Sequence, residues 1–138
     1  MTIYLDFDGT VVEHQYPSIG RENFGCFPVI KRLMEAGHKV ILNTYRANLD
    51  KESLEKALAF INLHYIHELP YEITATTEKH QPPPWNWSMH HETGVMYIDD
   101  QATYSPLKPA VMTNGKMVDW VELDRQFELH GMYKPIEL

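Results

Sequence analysis

The sequence predicts an α/β fold: a Rossmann-like, doubly wound parallel sheet with helices on both faces. Two observations predict it. Short apolar runs, TIYL at residues 2–5, HKVILNT at 38–44 and VMYI at 95–98, alternate with segments of helical periodicity. Each run stops at polar residues that carry chemistry: Asp6, Thr44 and Asp99-Asp100. An open parallel sheet binds its ligand beyond the carboxyl ends of its strands, so residues far apart in sequence would converge on one crevice. A chain of 138 residues, 43% hydrophobic and 22% charged, supports one core, hence a single domain over residues 1–138.

The first strand, Thr2 to Leu5, is β-branched, aromatic or apolar and ends at the acidic pair. A loop through Tyr16, Pro17 and Gly20 follows. Phe27, Ile30, Leu33 and Met34 then recur at helical spacing, with Pro28 suited to a first turn and Gly37 to the position just past the end, which predicts a helix from Phe27 to Ala36. His38 to Thr44 is a second buried strand. Asn48 or Asp50 caps a helix running to about Tyr65, with Leu54, Leu58 and Ile61 on its inner face. Tyr71 to Thr74 gives a weak third strand, and Val95 to Ile98 a fourth. Ala110 to Thr113 and Lys116 to Val118 flank Asn114-Gly115, a hairpin signal. Asp119 with Glu122 resembles a capping box for a last helix ending near Gly131.

Clustered carboxylates repel one another, and burying them unpaired costs several kcal/mol. They call for a cation. Asp6, Asp8 and Asp99 are hard oxygen donors of the kind that suits Mg²⁺, which also accepts phosphate oxygens. A carboxylate can attack phosphorus, and Asp6, at the rigid end of a strand, is better placed for this than Asp8. Asp8, two residues on, can protonate the leaving oxygen and later take a proton from water. Gly9 lets the backbone turn near a phosphate, Thr10 adds a hydroxyl and an amide, and the Thr44 hydroxyl can hold a phosphoryl oxygen. A lysine or arginine would stabilise the transferring group.

DFDGT at residues 6–10, after an apolar strand, resembles the first motif of the haloacid dehalogenase-like (HAD) superfamily, whose members are mostly Mg²⁺-dependent phosphohydrolases. The downstream order of that superfamily is met by Thr44 in VILNT, Lys79 in TEKH and Asp99-Asp100 in MYIDD, so the resemblance spans roughly residues 2–100. It implies Asp6 as nucleophile and metal ligand, and Asp8 as acid/base and a ligand through its carbonyl. It further implies Thr44 as phosphate binder, Asp99 as a metal ligand and Asp100 as its support. For the cation it implies Lys79 reaching in from a loop, with Arg46 in NTYR as the substitute. Neither the loop after Asp8 nor the segment after Thr44 holds enough residues for a full cap domain. The chain thus looks like a minimal, capless member, similar to small bacterial and phage HAD-like proteins.

An acidic pair alone is commonly a solvated loop; the ordered set of strand-end residues is what makes the phosphatase reading. Two other classes remain beside it: a catalytically silent binder of a phosphorylated ligand or partner, and a signalling receiver domain. The receiver is disfavoured, because its acidic pair precedes the phosphorylated Asp and its lysine comes late.

The net charge of −7 argues against nucleic acid as a partner, and a small phosphorylated molecule is the expected substrate. An open site would admit either a bulky substrate or a small one covered by a neighbouring subunit, as in a homo-oligomer. With one cysteine, Cys26, no internal disulfide can form; with no membrane-length apolar run or leader, a cytoplasmic location is expected. Cys26 reads as a buried hydrophobe. His14 and Tyr16 would line the substrate entrance. The Gln81–Trp87 segment, QPPPWNW, reads either as a lid or as a stiff connection anchored by its tryptophans. The eight histidines show no zinc spacing.

Overall fold

The computed structural model describes residues 1–65 and 67–136. Thr2–Leu5 forms β1, Lys39–Leu42 β2 and Val95–Ile98 β3, joined in one parallel sheet in the order β2-β1-β3. Leu5 pairs with Leu42 on one side and with Ile98 on the other, so the three strands end level. Side chains alternate across a strand. Ile3, Leu5, Val40, Leu42, Met96 and Ile98 are therefore buried together on one face. The other face is only half-buried: Tyr4 stacks on Tyr97, with ring centroids 5.1 Å apart, and Trp85 meets Tyr97 edge-on.

Helix α1, Cys26–Glu35, turns Cys26, Phe27, Val29, Ile30, Leu33 and Met34 inward. Cys26 is buried, and burial pushes its thiol well above the usual range, as expected of a structural cysteine. A short helix α2, Arg46–Leu49, precedes α3, Lys51–Asn62, which Asp50 caps by accepting the Ser53 amide. Helix α4, Trp87–Thr93, is capped by Asn86 and stopped by left-handed Gly94. Neither α2 nor α4 was anticipated, although Asn86 and Gly94 are an ordinary start and stop. Asp119 accepts the Glu122 amide and begins α5, Trp120–Leu129, where the sequence placed it.

Two expectations are corrected. The strand expected at residues 71–74 is absent, and the chain touches the sheet there by a single parallel bridge between Leu42 and Ala75. Side chains occupy the backbone groups that a fourth strand would need. The Tyr71 hydroxyl accepts from Val40 N and donates to His38 O, while Asn62 both accepts from and donates to the Ile73 backbone. The hairpin exists, but its first arm is β4, Leu107–Pro109, paired antiparallel with β5, Lys116–Val118. The amides of Val111 and Met112, which the expected register would have put in the ladder, are instead held by the buried carboxylate of Glu13.

Trp87 stacks on His130, with centroids 4.1 Å apart, and meets Phe127 edge-on. The proline segment is thereby fastened to α5, in keeping with an anchored connection. Among the described residues no helix is long and apolar enough to cross a membrane.

Candidate active site

Extended backbone at the end of β1 sends residues i and i+2 to one side and i+1 to the other. Phe7 accordingly points into the core, fully buried, with its ring centroid 5.9 Å from that of Phe60. Asp6 and Asp8 face the opposite way, into a cleft of about 310 Å³ that Thr44, Arg46, Lys79 and Asp100 also line. Beyond Asp8 the chain turns back on itself, the amides of Thr10, Val11 and Val12 converging on Phe7 O. Gly9 makes this turn with φ +81°, and a Cβ there would stand 2.4 Å from Asp100 Oδ2. Only glycine allows both the backbone conformation and the approach of Asp100.

Gly9 and Thr10 build the cleft from beneath. The buried Thr10 hydroxyl donates to Asp6 Oδ2 at 3.1 Å and accepts from Asp100 N at 3.2 Å, tying the end of β1 to the end of β3. Thr10 O accepts from Asn23 Nδ2 and Trp120 Nε1, both at 2.8 Å, and Gly9 O accepts from Val118 N at 3.0 Å. Asn23 Nδ2 also reaches Val118 O at 2.8 Å. The hairpin and α5 thus clamp the motif loop, a role that sequence reasoning missed for Asn23 and Trp120.

Lys79 lies between the carboxylates: its Nζ is 3.2 Å from Asp6 Oδ1 and 3.0 Å from Asp99 Oδ2. It arrives from a loop outside any helix. Asn48 Oδ1 accepts from Lys79 N at 2.8 Å, and Asn43 grips the next residue, donating to His80 O and accepting from His80 N, both at 2.8 Å. These asparagines were also missed; Asn43 sits inside the quoted VILNT stretch, but only its neighbour Thr44 drew notice.

Arg46, the other candidate cation, is fully buried and committed elsewhere. Its Nε and Nη2 each donate to one oxygen of Asp8 at 2.8 Å, a bidentate pair, and Nη2 also reaches Ser18 O at 2.8 Å. Thr44 is buried with its hydroxyl accepting from Arg46 N at 3.1 Å. The structure therefore separates the two cations: Lys79 serves Asp6 and Asp99, and Arg46 serves Asp8.

One oxygen from each of Asp6, Asp99 and Asp100 lies within 4.8 Å of the others. Asp99 Oδ1 accepts from Gln101 N at 2.9 Å, and the buried Asp99 Oδ2 pairs with Lys79 Nζ. The Asp6 carboxyl is pushed well above the usual carboxylate range by burial, then by Asp99, with Asp100 adding to the effect and Lys79 opposing it. Burial first, and then Asp99, also raise Asp100. Burial lowers the Lys79 ammonium, but Asp6 and then Asp99 outweigh it and leave its pKa above the ordinary lysine value. Asp6 rises because burial and two neighbouring carboxylates outweigh one ammonium, and Lys79 rises because two carboxylates outweigh its own burial. The cluster is short of positive charge and its donors are hard oxygens, which fits a divalent cation.

No family model matches the chain, and no curated protein matches it. One solved structure, described as that of a conserved protein coded by locus from Bacteroides thetaiotaomicron, matches with a TM-score of 0.61 at 25% identity, over 94% of this chain and 90% of that one. The two chains share a fold across nearly their whole lengths.

Proposed function

We propose that this chain is a Mg²⁺-dependent phosphohydrolase of the HAD-like kind, acting through a phosphoryl group carried on Asp6. The observation that carries the reading is the position of Lys79 Nζ between Asp6 and Asp99, at the carboxyl ends of adjacent parallel strands. Asp6, Asp99 and Asp100 would hold the cation, with the Asp8 carbonyl as the further ligand that the resemblance implies. A bound Mg²⁺ supplies positive charge to the phosphoryl oxygens.

The chain's own groups divide the remaining work. An Asp6 oxygen attacks phosphorus in line, the bond to the leaving oxygen breaks, and water later releases phosphate from the acyl phosphate. Thr10 and Lys79, bonded to different oxygens of Asp6, fix the direction in which that carboxylate faces. Asp8 lines the same cleft as the acid/base that the resemblance implies; passing a proton to the leaving oxygen and taking one from the attacking water requires one of its oxygens to leave Arg46, which holds both. Lys79 offsets charge on the transferring group, and the Thr44 hydroxyl donates to a phosphoryl oxygen.

The test is hydrolysis of p-nitrophenyl phosphate with Mg²⁺, with chelator, and with the Asp6→Asn variant. Turnover that is lost in the latter two conditions is expected. A rate that survives Asp6→Asn removes the nucleophile assignment, and phosphate-ligand binding without turnover then becomes the better account.

A further inference from the structure

The cleft has a second half that the phosphoryl chemistry does not use. Outside the acids, the cations and Thr44, its wall consists of His14, Tyr16, Tyr45, Leu49 and Gln101. Three of these five are aromatic rings and a fourth is aliphatic. Tyr45, just before the short helix α2, and Leu49, its last residue, are 54% and 45% exposed. Large apolar side chains left open at the mouth of a charged cleft point to a ligand that covers them. Tyr16 is fixed on the facing loop: its hydroxyl donates to Asp50 Oδ2 at 3.1 Å, and its ring centroid lies 5.1 Å from the Arg46 guanidinium carbon.

We propose that the substrate is a nucleoside monophosphate, with its phosphate among Asp6, Lys79 and Thr44 and its base against Tyr45, Tyr16 and Leu49. This rests on the phosphohydrolase reading and adds the substrate class. A planar base suits the wall because aromatic side chains accept any π face, and because apolar area lost from water on both partners contributes to binding. His14 and Gln101, on the same wall, offer polar partners to ribose hydroxyls or a base edge. A volume of about 310 Å³ lies at the small end of ligand sites, the scale of one nucleotide. The net charge of −7 independently disfavours a nucleic acid strand.

The experiment compares kcat/KM for adenosine 5′-monophosphate and ribose 5-phosphate, whose scissile ester is the same and which differ in the base. It uses the full chain with Mg²⁺, and p-nitrophenyl phosphate reports phosphatase competence. The nucleotide should be preferred; Tyr45→Ala should reduce that preference by roughly five- to 150-fold, the worth of one stacked ring, and Tyr45→Phe should retain it. Hydrolysis of p-nitrophenyl phosphate that depends on Asp6, without preference for the nucleotide or with a preference that Tyr45→Ala leaves intact, overturns the substrate class and leaves the phosphatase standing. Absence of any Asp6-dependent hydrolysis overturns the phosphatase reading and the substrate class with it.

Discussion

Arg46 is the residue whose placement most depends on a single partner. A guanidinium is never neutral in a protein, so its full burial is tolerable only because Asp8, Pro17 O, Ser18 O and two neighbouring rings surround it. Removing one member of a buried pair strands the other charge. Arg46→Met should therefore cost about 3 kcal/mol, discounted from the upper range because Asp8 keeps some contact with water. Urea unfolding measures this. Arg46→Lys should recover only part of it, since an ammonium cannot reproduce the two parallel bonds to Asp8. Equal stability of all three proteins would show that the pair contributes nothing to the fold.

At the scale of elements, the acidic loop is shaped from outside as much as from within. β1 delivers Asp6, but the turn that follows is held by Asn23 from the loop that leads into α1 and by β5 and α5 from the far end of the chain. Asn23→Leu removes two donors from buried carbonyls. Thr10 O keeps its bond from Trp120, so the expected cost is about 1–3 kcal/mol, that of one unsatisfied group. If the clamp also positions the loop, p-nitrophenyl phosphate turnover should fall under conditions where the variant is fully folded, with kcat affected more than KM. A stability loss with kcat unchanged would make Asn23 purely structural.

For the molecule as a whole, pH acts on stability through buried histidine. His90 is enclosed by Trp85, Trp87 and Tyr104; its Nδ1 donates to Val95 O, and its Nε2 has no partner. Burial first, and then the neighbouring His91, lower its pKa from the ordinary 6.5, against the Val95 carbonyl, which raises it. Between the lowered native value and about 6.5 the unfolded chain binds the extra proton, so stability rises with pH across that window and is lost as pH falls through it. Urea midpoints at pH 7.5 and 5.0 should therefore differ more in the native protein than in His90→Gln, which retains a donor for Val95 O. The comparison with the variant isolates His90 from Asp6 and Asp100, whose raised values act in the opposite direction. Parallel losses in the two proteins would contradict the assignment.

What the sequence alone determined is local. Period-two burial in TIYL and VMYI, the helical spacing after Cys26, the Asp119 cap and the acids at strand ends all follow from a few neighbouring residues, and each element formed where its pattern lay. The strand that failed at residues 71–74 marks the limit of such patterns: Tyr71 lies in the run itself, but its hydroxyl's partners on Val40 and His38, and the hold of Asn62 on Ile73, lie outside a window of a few residues. Only the tertiary structure decided which cation serves which carboxylate. Lys79 is 73 residues from Asp6, and Arg46 is 38 from Asp8. Either cation satisfies the same motif on paper. The choice came from packing: Arg46 is buried against the rings of Phe7 and Tyr16 with both oxygens of Asp8 on its guanidinium, whereas Asn43 and Asn48 hold the Lys79 loop over the cleft. Charge pairing across such separations is set by where the chain can bring its backbone, and that is a property of the whole fold.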